Sequence, residues 1–324
     1  MISYRRAGVD LDAAADHVGR IAGSVTSTWG PEVVGSFGGF ASGIRLPPGY
    51  RSPVLMMTTD GVGTKLEVAR RAGRWDGVGQ DLVAMCVDDL AVLGARPLGL
   101  VDYLAVGALD PEREAGIVGS IAAACIEAGC ALLGGETAEH PGVMEADAVD
   151  LAATALGVVE SGEELGPHRV RPGDVVVGLA SPNLRSNGFS LVRSVFAGDL
   201  QDHYDMLLEP SVIYSPVVLD AVAGGSVHAA AHITGGGIAA NLARSLPEGM
   251  GAVVDTTTWQ PAPVFSVIAE RGVDRDEMFR TFNMGIGFCL VAAPDGVDKL
   301  LTVTERFTPS VIGEVTNSAG VALV

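Results

Sequence analysis

The run Thr59-Asp60-Gly61-Val62-Gly63-Thr64-Lys65 is the first place where residue types converge on a chemistry. Glycines that follow an apolar strand expose backbone N–H groups, and a lysine at the end supplies a positive point charge, a combination suited to phosphate. The spacing is not that of a Walker A loop. Asp-Gly is also a common hairpin turn, so the run alone leaves both readings open. The scarcity of lysine favours function: only Lys65 and Lys299 occur, against nineteen arginines.

A second group of acids lies on a segment with helical periodicity, Gln80 to Gly94. At about 100° per residue, Leu82, Val83, Cys86, Leu90 and Leu93 form an apolar face. Asp81 and Asp88 fall off that face, as solvated carboxylates would, whereas Asp89 falls in line with Leu82 and Leu93. A carboxylate on a packed side is costly unless it is paired or bound to metal. Asp102, inside the apolar stretch Leu98 to Val106, poses the same question. Two such acids in neighbouring elements suggest oxygen ligation of a hard cation such as Mg²⁺; a buried ion pair or a loop cap is the alternative.

Three further segments present polar groups where strands meet helices. Gly134-Gly135-Glu136-Thr137-Ala138-Glu139-His140 reads as a short strand ending in a flexible turn with two carboxylates and a hydroxyl. Ser186-Asn187-Gly188-Phe189-Ser190 and His232-Ile233-Thr234-Gly235-Gly236-Gly237 each open a helix, whose free N–H groups favour anions. Caps and turns would look the same, and a lone histidine is more often a core residue than a base. Asn283-Met284-Gly285-Ile286-Gly287 precedes a strand and reads equally well as a bend.

The elements that must position these residues alternate strand and helix. Helical periodicity covers Asp10 to Thr28, Gln80 to Gly94 and Pro111 to Gly129; strands are expected at Val54 to Thr59, Leu98 to Val106, Ala131 to Leu133 and Val149 to Val159. The polar stretch Glu160 to Gly173 is the best boundary, dividing the chain into residues 1–165 and 166–324. Strands at Val175 to Ala180, His228 to Thr234, Val253 to Thr257, Phe288 to Ala292 and Val311 to Val324 follow, with helices between them. The fold class is therefore α/β (α+β) in two domains, as a length of 324 residues suggests. A formal charge of −18 argues against nucleic acid. No apolar run is long enough to span a membrane. The opening Met1 to Arg6 lacks the apolar core of a signal peptide. Four cysteines without CxxC spacing read as reduced core residues, so the protein is expected to be cytoplasmic.

In this order, the segments YRRAGVDLD, TDGVGTK, DLVAMCVDDL, GGETAEHPG, SNGFSLVR, EPSVIYSP, HITGGG and RTFNMGIG resemble the aminoimidazole ribonucleotide synthetases, the phosphoribosylformylglycinamidine cyclo-ligases, over essentially the whole chain. The resemblance implies two mixed-sheet domains per subunit and a homodimer whose N-terminal sheets pair across the interface. It implies ATP and Mg²⁺, with potassium as an activator, and ring closure of formylglycinamidine ribonucleotide to aminoimidazole ribonucleotide with release of ADP and phosphate. By carry-over, Asp60, Asp89 and Glu136 would hold metal. Asp60, Gly61, Gly63, Thr64, Lys65, Gly134, Gly135, Glu136 and Thr137 would bind ATP. Arg185, Ser186, Asn187, Gly188, Thr234, Gly235, Gly236, Gly237 and Asn283 would bind substrate or phosphate. Lys65, Asp89 and His232 would be the catalytic group, His232 as proton carrier.

Two positions depart from the family pattern. Arg185 stands where a histidine usually precedes SNG, and the stretch before Pro31-Glu32 lacks the usual lysines. The rival readings are another ATP-using relative of the same architecture, such as a selenophosphate synthetase or a thiamine-phosphate kinase, and a non-catalytic nucleotide-binding scaffold. The absence of a cysteine before Cys86 speaks against a selenophosphate enzyme.

Overall fold

A computed structural model describes residues 3–324; Met1 and Ile2, the start of the polar opening, lie outside the described residues. The first half opens with helix α1 (Leu11–Ser27), capped by the Asp10 carboxylate on the amides of Asp12 and Ala13. A two-stranded ribbon follows, β1 (Val33–Val34) against β2 (Gly43–Ile44). Four longer strands build the first sheet: β3 (Pro53–Gly61), β4 (Arg96–Val106), β5 (Ala131–Glu139) and β6 (Val149–Glu160), in the order β3-β6-β4-β5. Helices α2 (Lys65–Ala72), α3 (Val78–Val92) and α4 (Pro111–Ala128) connect them. Pro111 sits at the first turn of α4 behind the capping Asp110, the position where a missing N–H does no harm.

Residues 161–174 lead into the second half, which contains β7 (Val175–Ala180), β8 (Val227–His232), β9 (Gly251–Val254), β10 (Ile286–Ala292), β11 (Ser310–Thr316) and β12 (Gly320–Leu323). They form one six-stranded mixed sheet, β12-β9-β11-β7-β10-β8, in which only β12 and β9 run parallel. Helices α5 (Phe189–Val195), α6 (Tyr204–Leu207), α7 (Ser215–Val222), α8 (Gly237–Ala243), α9 (Pro263–Glu270) and α10 (Arg275–Thr281) lie between the strands. The two mixed sheets agree with the expected fold class.

Helix α3 is the element shared by both halves. One apolar cluster joins its Leu82, Met85 and Cys86 to Leu184, Phe189, Val192, Phe282 and Met284 of the second half. A second joins Ala91 to Val177, Tyr214 and Phe288. Twelve of its fifteen residues are buried, Asp81 and Asp88 among them. The helical wheel leaves these two acids to solvent because it assumes one buried face, whereas α3 is covered nearly all round. The open face of α3 is instead the edge carrying Asp89, which is half-buried.

The motif Gly134 to Glu139 differs from the sequence reading as well. It is not a turn: β5 continues through it, paired parallel to β4 from Gly99↔Ala131 to Val106↔Glu139, with a register shift after Leu100. Gly135 is needed there because a Cβ would lie 2.3 Å from an oxygen of Asp102, the neighbouring residue on β4. Asp60, Ala153, Asp102 and Gly135 thus form one row across the sheet on the face beneath the helices. Asp102 stands two strands from Asp60, roughly 10 Å, with Ala153 between.

Burial pushes the Asp102 carboxyl up to about 7, with no cationic partner among the described residues to oppose it. An acid raised on folding keeps its proton in the folded chain while the unfolded chain loses it, so stability falls as pH rises from about 4 to about 7 and is flat above that. Asp102→Asn removes the ionising group. It is expected to be more stable than the natural chain at pH 8, by up to about 4 kcal/mol, with the difference vanishing near pH 4. Urea unfolding at both pH values checks this; a variant less stable at pH 8 would refute it.

Candidate active site

The α3 acids are held in three different ways. Asp81 is fully buried and pairs with the ammonium of Lys65 at 2.7 Å. It also accepts hydrogen bonds from the amide and hydroxyl of Ser211. The ammonium donates to the carbonyl of Glu209 at 2.8 Å and lies over the Phe189 ring. Lys65 is 1% exposed. The sequence places it beside a Gly-rich turn as a free phosphate contact; the structure corrects this, because Lys65 is the first residue of α2 and its side chain runs inward. Its scarcity value was real, but the partner is an aspartate.

Asp88 lies two turns further along and is also fully buried. One oxygen accepts from the amides of Tyr214 and Ser215, the other pairs with the Arg185 guanidinium at 2.7 Å. Arg185 is 0% exposed, donates to the carbonyl of Val212 and stacks on the Tyr214 ring. It therefore does not offer its charge to a phosphate, which corrects the expectation from the sequence.

Asp89, the next residue, points the other way, into a cavity of about 460 Å³ between the two halves. Its walls are Met57, Thr58 and Asp60 from β3, Asp89, Leu90 and Val92 from α3, His232 at the end of β8, and Thr234, Asn241 and Arg244 around α8. Asp89 accepts from His232 Nδ1 at 2.9 Å and from the Thr58 hydroxyl at 3.3 Å. Burial acts hardest on the Asp89 carboxyl and pushes it up, but His232, Thr58 and Arg244 together bring it below the usual range. Asp60 goes the other way: burial and the neighbouring Asp89 outweigh the Gly61 amide and raise it. Two carboxylates whose charges repel across one cavity are a setting for a cation or a proton.

A hollow of about 540 Å³ on α10 is lined by Asp274, Arg275, Asp276, Glu277 and Arg280. All five belong to one helix and its cap, so it is a furrow between surface side chains, with no groups converging from other elements.

The remaining sequence candidates divide. Asn187 accepts from the amide of Gly235 at 3.1 Å, so the SNG and TGGG loops do meet. Thr64 reaches Ser190 at 3.3 Å, which brings the first glycine loop, with Gly61 and Gly63, to the same side. Ser186 is partly buried with an unpartnered hydroxyl. Gly188 and Gly237 have structural reasons for lacking a side chain: a Cβ would strike the Phe282 ring at 2.3 Å or the Phe279 carbonyl at 1.9 Å. Gly236 and Gly237 precede an Asn241 amide that donates to the carbonyls of Thr234, Gly235 and Gly237. Asn283 is 3% exposed and bonds only within its own surroundings, to the Asn183 carbonyl, Ser181 and the Gly285 amide. It braces the bend before β10 and does not face the cavity, a correction to its expected binding role.

Glu136 is not brought to Asp60 and Asp89 within one chain. It pairs with Tyr103, which with Ala152 and Gly61 forms the row on the sheet's open face. It also stands on the far edge strand, three strand spacings or roughly 14 Å from β3. Gly134 and Gly135 stay with it on β5, and Thr137 faces inward to His17 at 3.1 Å. Among the described residues no group of three or more His, Cys, Asp or Glu is arranged to hold a metal alone. The residue that sequence reasoning missed is Arg244, the cavity's arginine, which carries no motif of its own.

Residues 46–159 match the family model described as AIR synthase related protein, N-terminal domain, and residues 171–324 match its C-terminal domain. The chain is 45% identical to phosphoribosylformylglycinamidine cyclo-ligases of two Desulfitobacterium hafniense strains, over 98% of this chain and 97% of each relative. Among solved structures, thiamine-monophosphate kinase from Stenotrophomonas maltophilia aligns with a TM-score of 0.68 at 23% identity, covering 96% of this chain and 95% of that one. Hydrogenase maturation protein HypE in complex with ATP aligns with a TM-score of 0.66 at 20% identity, covering 95% and 88%. At such identities the structural likenesses establish the fold alone.

Lys65→Ala leaves the fully buried Asp81 without its cation. Breaking a buried pair by removing one partner costs about 3–5 kcal/mol. The variant is expected to lose stability on that scale in urea, in the absence of any nucleotide. An unfolding curve like that of the natural chain would show that the pair is dispensable.

Proposed function

We infer that this chain, which belongs to the AIR synthase related protein family, catalyses ATP-dependent ring closure of formylglycinamidine ribonucleotide to aminoimidazole ribonucleotide, a ligase step of purine biosynthesis. The likeness at 45% identity along nearly the whole chain to enzymes of that name carries the reading. The likeness to kinase and maturation-protein folds, at 23% and 20% identity, does not favour them as rival activities.

Chemically, the formamide oxygen of the substrate takes the terminal phosphoryl group of ATP and becomes a good leaving group. The amidine nitrogen then attacks the formyl carbon, the carbon–oxygen bond breaks, and phosphate departs. Such a reaction asks the protein mainly for positioning and charge neutralisation. The cavity between the halves supports both. Asp60 and Asp89 line it together, and Asp60 has no ion-pair partner among the described residues. Two carboxylates completed by phosphate oxygens fit Mg²⁺, which keeps few protein ligands. When bound, the ion would neutralise charge on the transferring phosphoryl group. Arg244 adds a permanent cation on the α8 wall for an anionic group of either substrate. His232 holds the Asp89 carboxylate in place and brings an imidazole to the cavity wall. Backbone amides around Gly61, Gly63 and Gly235 remain the candidates for phosphate contact, and potassium the candidate activator.

We further propose a homodimer formed through the open face of the first sheet, with residues 1–165 as the nucleotide-binding and dimerisation half and 166–324 as the other. That face presents Leu55, Met57, Val101 and Tyr103, between 44% and 70% exposed. Apolar side chains at alternate positions on β3 and β4, the strands that flank β6, are a surface that water disfavours. Glu136 lies on the same face, so a second copy would place it within a shared interface. A purine-pathway enzyme with four buried, unpaired cysteines fits the cytoplasm, and no helix among the described residues is long and apolar enough to cross a membrane.

Incubation with ATP, Mg²⁺ and formylglycinamidine ribonucleotide is expected to yield the aminoimidazole product and ADP; ADP release without the substrate-dependent product would overturn the reading. Asp89→Asn keeps the shape and an oxygen to accept from His232. Its metal-free stability is expected to stay within about 1 kcal/mol of the natural chain, while turnover collapses and the Mg²⁺ requirement rises. Unchanged turnover at low Mg²⁺ would remove Asp89 from the metal. Light scattering at micromolar concentration is expected to give twice the chain mass; a monomer would remove the dimer.

A further inference from the structure

The Arg185 side chain does more than neutralise Asp88. Its Nη2 lies 2.7 Å from Asp88 Oδ2 and 3.1 Å from His232 Nε2. A guanidinium nitrogen carries only hydrogens to donate. One Nη2 hydrogen therefore goes to the carboxylate and the other to the imidazole, and His232 Nε2 must receive it with a lone pair. The ring proton is then on Nδ1, which lies 2.9 Å from Asp89 Oδ1, an acceptor. The neutral Nδ1–H tautomer satisfies both contacts; the Nε2–H tautomer would set donor against donor on one side and lone pair against carboxylate on the other.

The surroundings are built to keep the guanidinium there. Arg185 has φ 59°, the left-handed region that non-glycine residues rarely adopt. That conformation is held by the Asn183 side chain, whose oxygen accepts the Arg185 amide at 2.9 Å and whose amide donates to the Pro210 carbonyl. Val212 O takes a hydrogen from Nη1, and the Tyr214 ring lies 4.8 Å from the guanidinium carbon. His232 is fixed from its other side by Phe288, stacked at 6.1 Å on the adjacent strand. Asp88, Arg185, His232 and Asp89 thus form one line from the protein interior to the cavity wall.

We propose that Arg185 is a positioning residue that acts through His232: it holds the imidazole in the Nδ1–H tautomer and so fixes the orientation of the Asp89 carboxylate at the cavity. Oδ1 of Asp89 is committed to the imidazole, and its other oxygen accepts only the longer bond from the Thr58 hydroxyl at 3.3 Å, on a residue that lines the cavity. Without the guanidinium nothing opposite Nε2 demands a lone pair. Asp89 alone is then left to hold the ring: Nε2 can take a second proton, or the ring can turn about its own axis, and Asp89 loses its fixed partner. The proposal rests on the reading of Asp89 as a ligand-facing residue of the ring-closing site.

Arg185→Met alone strands the buried Asp88 carboxylate, so the decisive variant is Asp88→Asn/Arg185→Met, which removes both charges and retains an oxygen for the Tyr214 and Ser215 amides. The readout is the pair of ¹⁵N shifts of His232 in the full chain labelled at histidine, assigned by loss of the signal in His232→Gln, beside kcat and KM for ATP. The natural chain is expected to show a protonated Nδ1 and an unprotonated Nε2. The folded double variant is expected to lose that single pattern and to lose about 10–100-fold in kcat, the usual scale for a residue behind a ligand, with KM for ATP little changed. Arg185→Lys, whose ammonium is also donor-only, is expected to restore the nitrogen pattern and much of kcat. A natural chain with the proton on Nε2, or a folded double variant that keeps either the natural nitrogen pattern or the natural kcat, would overturn the proposal. The nitrogen shifts need no substrate, so a failed ring-closure assay with the expected shifts would fault the functional reading and not the assignment of the tautomer to Arg185.

Discussion

A helix buried on nearly every side and carrying three carboxylates sets the terms for the rest of the molecule. A buried carboxylate without a partner costs several kcal/mol, so α3 can lie between the two halves only if each charge is met. Asp81 is met by Lys65 from the start of α2, and Asp88 by Arg185 from the loop after β7. The same two acids accept amides from Ser211, Tyr214 and Ser215, so the segment between α6 and α7 must run along the helix. These contacts hold the two halves against α3, and the cavity lies at that junction. Only Asp89 is left for that cavity.

That distribution explains why neighbouring acids on one helix have different roles. Asp88 and Asp89 are adjacent, so they point about 100° apart, one into the protein and one to the cavity wall. The inner acid holds the arginine, and the arginine and the outer acid hold the histidine between them. Asp60 enters from β3 without a cation, and its carboxyl is raised by burial and by Asp89. The site therefore has an unbalanced negative charge where the α8 wall brings Arg244. A site of this kind favours a cation accompanied by an anion, which is what a metal–nucleotide complex is.

Much of this was legible from the sequence. The periodicities gave α1, α3, α4 and most strands to within a few residues, since long apolar patterns are set by the core they face. The glycine motifs marked loops that the structure does bring together, as Asn187 and Gly235 show. What could not be read was which acids would be buried. A helical wheel supposes a single packed face, and α3 has packing on nearly all sides, so the wheel assigned Asp81 and Asp88 to solvent and Asp89 to the interior. The turn expected around Glu136 fails for a related reason. Glycines next to a strand suggest a turn, but β5 uses them to pass Asp102 and goes on as a strand, which puts Glu136 on the opposite face from Asp60. Partners distant in sequence, such as Lys65 with Asp81 or Arg185 with His232, leave no mark in periodicity.

The departure at Arg185 can be understood on the same basis. A histidine before the SNG motif could donate or accept, whereas an arginine there can only donate and is always charged. Its positive charge needs a buried anion, which Asp88 supplies; two further hydrogens find acceptors in Val212 O and His232 Nε2, while Nε finds none. Replacing such a pair with apolar groups is often neutral for stability or better, so the pair's contribution lies less in net stability than in direction. A packed apolar core would leave the Nε2 side of the imidazole free to take a second proton or to turn. The guanidinium does not, and through the ring it constrains a carboxylate that it never touches.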